Sequence, residues 1–126
     1  MYSLERITFN GAGVTLVADA AGPKDGRPVL FLHGSGQTRQ SWGKALPEAA
    51  KRGYRGVSID LRGHGESGWA PDGDYLLERF VDDARRVIEQ LGAPPILVGA
   101  SLGGLVGMII AAEPPPSLHE IGRAHV

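Results

Sequence analysis

The chain contains no cysteine, which removes disulfides, thiolate metal sites and a cysteine nucleophile together. It has no excess charge of either sign. Its 13 basic and 14 acidic residues leave a formal net charge of -1 and are scattered rather than clustered. No basic face or charge block points to nucleic acid or an anionic membrane as partner. No long apolar run is present either: the longest, Leu105 to Ala112, is interrupted by Gly107 and is far too short to span a bilayer. The start, Met1-Tyr2-Ser3-Leu4-Glu5-Arg6, lacks the charged and then apolar layout of a signal peptide. What is there is ordinary globular composition, 42% hydrophobic over 126 residues, enough for one domain at most and too apolar for disorder. A soluble cytoplasmic protein is the expectation.

Strands and helices follow from the pattern. Leu4–Phe9 and Val14–Ala18 are β-prone runs around Asn10-Gly11-Ala12-Gly13, and Asn-Gly predicts a hairpin because both residues tolerate positive φ. The Gly11-x-Gly13 pair lacks the third glycine and the helix of a dinucleotide fingerprint, so it reads as a turn. Pro28-Val29-Leu30-Phe31-Leu32 is a continuous apolar run, as in a strand buried on both faces. Trp42, Ala45, Leu46, Ala49 and Ala50 have helical spacing, with Pro47 in the first turn and Gly53 as the stop. Tyr54–Ile59 predicts another strand, followed by glycine-rich loop to Asp74. Leu76, Phe80, Ala84, Val87, Ile88 and Leu91 mark a second helix, with Arg79, Asp82, Asp83, Arg85, Arg86 and Glu89 as its wet face. Gly92 and Pro94 end it. A strand to Val98 and a third helix closed by Pro114-Pro115-Pro116 complete the order. Strands alternating with helices after an opening hairpin imply an α/β fold with a parallel sheet covered on both faces.

Three segments carry chemistry. In Gly99-Ala100-Ser101-Leu102-Gly103, Ser101 alone among the serines has glycine at both −2 and +2, and it lies where a buried strand turns into a helix. That is the layout of a nucleophile elbow, a strained turn that holds a serine oxygen out of the backbone. Its strain costs roughly 1–3 kcal/mol, and side chains at 99 and 103 would collide across it. A serine merely capping the third helix, with glycines for close packing, is the plainer alternative. The second segment, Leu32-His33-Gly34-Ser35-Gly36, ends the buried strand in a glycine-rich loop. Its backbone N–H groups are placed to meet an oxyanion formed beside the elbow, with Ser35 N–H (or a neighbour's) and Leu102 N–H as the two donors. His33 precedes that turn and reads as a loop brace rather than a base. The third, Asp60-Leu61-Arg62-Gly63-His64-Gly65-Glu66-Ser67, reads as a turn with internal ion pairs. His33, His64 and Trp69 are candidates for a pocket rim. One histidine among dispersed carboxylates has no metal-ligand spacing, so neither a metal nor a cofactor is expected.

Together these motifs resemble the α/β-hydrolase superfamily. Phe31-Leu32-His33-Gly34 is similar to its oxyanion strand and loop, Asp60-x-Arg62-Gly63-x-Gly65-x-Ser67 to the loop after its fourth strand, and Gly99-x-Ser101-x-Gly103-Gly104 to its elbow. The resemblance implies a serine hydrolase acting on an ester or similar small-molecule carbonyl. It implies Ser101 as nucleophile, an oxyanion hole at Ser35 and Leu102, and Gly34, Gly99 and Gly103 as the glycines that shape elbow and loop. Serine at that position speaks against the epoxide hydrolase and dehalogenase branches, while perhydrolase or haloperoxidase chemistry would use the same serine. A non-catalytic member of the fold that binds a small molecule or a partner is the alternative. Nothing in the sequence sets an oligomeric state. The triad of such enzymes runs serine, acid, histidine, and Glu113, His119, Glu120 and His125 follow no further predicted strand. None of them is assigned a role.

Residues 1–118 are thus expected to be the N-terminal part of an α/β-hydrolase domain, cut after the elbow helix. The ending Ile121-Gly122-Arg123-Ala124-His125-Val126 has neither apolar periodicity nor a strand pattern and matches one frame of a common sequencing-adapter oligonucleotide. Residues 119–126 are therefore expected to be a non-native tail. The strand ending at Gly99 would then keep an open edge, favouring aggregation, and the fragment would be close to inactive.

Overall fold

The computed structural model describes residues 3–113 in full and the backbone of 122–125. Chain order is β1 (Glu5–Asn10), β2 (Thr15–Ala21), β3 (Pro28–Leu32), a short 3₁₀ turn (Arg39–Trp42), α1 (Ala45–Lys51), β4 (Arg55–Ile59), α2 (Leu77–Leu91), β5 (Ile96–Gly99), α3 (Leu102–Ala112) and β6 (Gly122–His125). The strands form one six-stranded sheet in the order β1-β2-β4-β3-β5-β6. β1 and β2 pair antiparallel with each other, and β2 antiparallel with β4. From β4 through β3 and β5 to β6 the sheet is parallel.

Alternation along β3 builds a core on each side. Val29 and Phe31 face α1 with Leu46 and Ala50. Leu30 and Leu32 face the other way and pack, with Val57, Ile59 and Leu97, against Phe80, Ala84, Val87 and Ile88 of α2 and Val106 and Ile110 of α3. Every residue of β3 is buried, which explains its unbroken apolar run. Gly92, in the left-handed region at φ 78°, ends α2.

Two expectations need correction. The opening turn is not built on Asn10-Gly11: neither has positive φ, and the left-handed residue is Gly13 at 79°. The loop is shaped from outside. The Asp83 carboxylate accepts Ala12 N–H at 2.8 Å, and Arg62 Nη2 donates to Ala12 O at 2.8 Å. These tertiary ties override the local hairpin preference. Nor does β5 keep an open edge, because the backbone of 122–125 pairs with it in parallel, from Ile96↔Gly122 to Gly99↔His125. Ladder formation uses only backbone groups, so a segment without alternation can still fill a vacant edge.

Parallel topology brings the carboxyl ends of β3, β4 and β5 to the same edge of the sheet, where open α/β sheets place their sites. At that edge α3 approaches β3 very closely. A Cβ on Gly103 would run into the carbonyl of Leu32, and one on Gly99 would lie 2.5 Å from the Gly103 carbonyl carbon. One turn further along α3, a Cβ on Gly107 would meet only Leu97 Cβ at an ordinary 3.8 Å. Gly103→Ala is therefore expected to destabilise by about 3 kcal/mol, the upper end for overpacking. Gly107→Ala should instead stabilise by about 0.5–1 kcal/mol through helix propensity. Urea midpoints of the two variants check the contrast, and equal effects of the same sign would refute it.

Candidate active site

Ser101 joins β5 to α3 with φ 54° and ψ −115°, the one non-glycine residue of positive φ among the described residues. No L-residue rests there without strain, about 1–3 kcal/mol. The turn is held by Ala100 N–H donating to Leu32 O at 3.1 Å, Gly103 N–H to Ala100 O at 3.0 Å and Leu105 N–H to Ser101 O at 3.0 Å. Ser101 itself is exposed. Leu102 N–H, the first of α3, has no intrahelical acceptor to reach.

Across from it runs the loop after β3. Gly34 lies so near that a Cβ on it would be 3.4 Å from Ser101 Cβ. Gly34 N–H donates to Gln37 Oε1 at 2.8 Å, Gln37 N–H to Gly34 O at 3.1 Å, and Gly36 N–H to His64 Nε2 at 3.0 Å. Gly34 and Gly36 have thus committed their donors, while Ser35 N–H has no partner among the described residues. Ser35, Leu102, Gly34 and Ser101 are brought together.

The two histidines differ in place. His33 is fully buried and does not reach any rim. Because Leu61 N–H donates to its Nε2 at 3.0 Å, its proton sits on Nδ1, which donates to Gly34 O at 2.7 Å. Burial lowers its pKa, the Gly34 carbonyl opposes that, and His64 reinforces it. His64 is arranged likewise. Nε2 accepts from Gly36, so Nδ1 carries the proton and donates to Arg62 O at 2.9 Å. One edge of His64 lines a cleft of about 490 Å³ with Ser35, Gly63, Tyr75, Leu77, Phe80, Leu102 and Leu105. Trp69 is 76% exposed and does not line that cleft, which corrects its placement on the rim. No group of three or more potential metal ligands occurs among the described residues.

The ion pairs of the segment after β4 go to partners outside it, while its internal ties are hydrogen bonds. Asp60 is fully buried and accepts from Arg39 N–H at 2.7 Å, Arg39 Nη1 at 2.5 Å and Glu66 N–H at 2.9 Å. Arg39 also pairs with Glu66 at 2.7 Å, and its Nε lies 3.1 Å from Asp19 Oδ1 without the alignment of a hydrogen bond. Burial works to lower the Arg39 pKa, but its carboxylate partners outweigh this and raise it. Ser67 Oγ donates to Asp60 O at 2.6 Å and accepts Val17 N–H at 2.9 Å. Arg62, 2% exposed, forms a two-pronged pair with Asp83 at 2.6 and 2.8 Å and donates to the carbonyls of Asp74 and Ala12.

Asp83 is therefore not on the wet face of α2 but 1% exposed. Its position was readable: 83 falls between Phe80 and Val87 on the apolar stripe, where a carboxylate demands a cation. Arg39 and Gln37, also missed, sit in a polar loop without periodicity. The one signal for Arg39 was an aspartate at the end of a buried strand.

A profile of the alpha/beta hydrolase fold matches residues 27–121. An esterase of Mycobacterium tuberculosis is 34% identical over 94 residues, 74% of this chain and 30% of that protein. Among solved structures, the thioesterase domain from the curacin biosynthetic pathway superposes with a TM-score of 0.86 at 28% identity, covering 97% of this chain and 46% of that one. An epoxide hydrolase from Vigna radiata superposes with a TM-score of 0.84 at 29% identity, covering 95% and 39%. The chain belongs to the alpha/beta hydrolase family. It spans 28–36% of the length of the curated relatives it matches. No helix among the described residues is long and apolar enough to cross a membrane.

Two outcomes are expected. Asp83→Ala strands the buried Arg62 charge and should cost about 3–5 kcal/mol in urea unfolding, whereas a loss below about 1 kcal/mol would show the pair to be dispensable. The depressed pKa of His33 means that the unfolded chain binds more protons around the imidazole range. Stability should be full above the ordinary value of about 6.5 and fall as pH drops below it toward the folded value. Urea midpoints recorded between roughly pH 8 and pH 5 should decline less in His33→Gln than in the parent.

Proposed function

We propose that this segment is the nucleophile-bearing part of a serine hydrolase acting on an ester or similar small-molecule carbonyl. The single observation that carries the reading is Ser101 at φ 54°, between glycines that admit no Cβ. A binding protein has no need of that strain, whereas an attacking serine must stand clear of its own backbone.

In this reading Ser101 Oγ adds to the carbonyl carbon and loses its proton to a base. The resulting oxyanion accepts from Ser35 N–H and Leu102 N–H, each donor worth roughly 2.7–4 kcal/mol of barrier. Collapse expels the leaving oxygen, which takes that proton back from the base as alcohol, and water giving a proton to the same base then releases the acyl group. The cleft beside Leu102, Leu105 and Phe80 is the place for the organic part of the substrate. Neither His33 nor His64 is placed as that base, because each spends both ring nitrogens on backbone groups. A full-length protein lacking the acid or the histidine would favour the alternative, a non-catalytic member of the fold that binds a small molecule or a partner. His119 and Glu120, two of the downstream groups, lie outside the described residues.

The 126-residue chain alone should hydrolyse an activated ester such as p-nitrophenyl acetate no faster than its Ser101→Ala variant, because losing the base of a triad costs on the order of 10⁶ in rate. The decisive step is to read the source DNA beyond the Leu118 codon from a library without the adapter. A frame that continues and supplies an acid and then a histidine should yield an enzyme whose turnover Ser101→Ala abolishes. It would also identify 119–126 as the non-native tail we propose. A native stop at that point, or turnover indifferent to Ser101→Ala, would replace this reading with the binding role.

A further inference from the structure

We propose that His64 is a positioning residue for Ser35 N–H, acting through Gly36 as one half of a reciprocal imidazole latch between the loops after β3 and β4. The inference rests on the reading of Ser35 N–H as an oxyanion donor.

The reciprocity is geometric. His33, at the end of β3, lends its Nε2 lone pair to Leu61 N–H of the opposite loop and spends its Nδ1 proton on Gly34 O of its own. His64, in the loop after β4, lends its Nε2 lone pair to Gly36 N–H of the opposite loop and spends its Nδ1 proton on Arg62 O of its own. The rings lie 4.9 Å apart at 54°. The two loops are thereby joined by one acceptor from each side, and neither imidazole has a lone pair left to act as base.

Ser35 sits between the two anchor points. Its N–H belongs to the peptide plane whose carbonyl is Gly34 O, held by His33 Nδ1–H and Gln37 N–H. The following plane carries Gly36 N–H, held by His64. Peptide planes rotate as units, so the bonds to Gly34 O set the direction of Ser35 N–H, and the His64 bond to the next plane keeps the Ser35 dihedrals from turning it away. The need for an anchor is plain at Gly36, which has φ 77° and open space around its missing Cβ. A glycine there has little intrinsic preference and can swing the plane. The charged groups about the rings are already engaged: Asp60 with Arg39, and Arg62 with Asp83. Phe80, 6.4 Å from His64 edge-on, and Tyr75 close the cleft side. An imidazole suits the task because a single rigid ring offers one donor and one acceptor. Glutamine can supply the same pair; leucine supplies neither.

The test uses ¹⁵N NMR on the chain. Both imidazoles should report the Nδ1–H tautomer. Hydrogen exchange at Gly36 should quicken about five- to tenfold in His64→Leu, as for loss of one net hydrogen bond, and return to within about twofold in His64→Gln. Amides of β4 and α2 should hold their rates in both variants. Where a longer frame turns over ester, His64→Leu should lower kcat by about 10²-fold with KM unchanged, and His64→Gln should recover most of it. An Nε2–H tautomer at His64, or unchanged Gly36 exchange in His64→Leu, overturns the latch whatever the catalytic result. An intact latch with unchanged kcat overturns the positioning role. Turnover indifferent to Ser101→Ala would instead sink the hydrolase reading and leave the NMR result standing, so the two failures are separable. If His64→Leu fails to fold, the parent tautomers and His64→Gln still decide.

Discussion

The approach of α3 to the end of β3 governs the geometry of everything around Ser101. Gly103 lies against the Leu32 carbonyl with no room for a single carbon, and Ala100 N–H bonds the same carbonyl from the strand side. This contact sets how far α3 can tip and therefore how tightly the chain must turn between Gly99 and Leu102. The positive φ of Ser101 is the consequence, an unfavourable conformation maintained because the packing on both sides over-determines it. The same contact draws the first N–H of α3 beside the loop that carries Ser35. One steric constraint thus yields the strained serine and the neighbouring donors together.

Buried charge supplies the second layer of order. Asp60 and Arg62 are the anchors of one loop, yet each is neutralised by a distant residue: Arg39 from the loop after β3, and Asp83 from α2. Ion pairs taken out of water seldom add much net stability compared with apolar replacements, because desolvation offsets the attraction. Their effect is directional. A buried guanidinium bonded through all three of its nitrogens has one acceptable arrangement, and Arg62 uses its own to join α2, the loop before α2 and the β1–β2 turn. The loop beside the cleft is therefore braced by three other parts of the chain.

How much of this was legible varies by the kind of signal. β3, β4, β5, α2 and the elbow were readable because each rests on local pattern: a continuous apolar run, a helical stripe, a serine between glycines at a junction. The β1–β2 strands were readable but their turn was not, since tertiary bonds from Asp83 and Arg62 to Ala12 replace the Asn-Gly preference. Asp83 departs from the charge pattern because its place on the apolar stripe, opposite Arg62, outweighs its charge. His33 could be recognised as a brace from its place before the turn. The commitment of both nitrogens of both histidines depends on two loops meeting 28 residues apart in sequence, and no local pattern carries that information. Pairing of 122–125 with β5 was invisible for a similar reason, because an edge selects backbone and not side chains.

These layers have a consequence for how the proposed chemistry is divided along the chain. Everything that would receive negative charge is organised within residues 32–103: the elbow, the first N–H of α3 and the loop with its two imidazoles. The two imidazoles of that region, His33 and His64, spend both ring nitrogens on backbone groups and leave none to take the serine proton. Electrostatic preorganisation depends on dipoles fixed before the reaction begins, and here the fixing is done by close packing and by buried ion pairs, neither of which needs a catalytic acid or histidine. On the proposed reading, a serine in such a setting would be oriented but not activated, since a neutral alcohol gains nucleophilicity only when a base accepts its proton. On that reading the segment would be a preformed half-site, its donors fixed before any base is present.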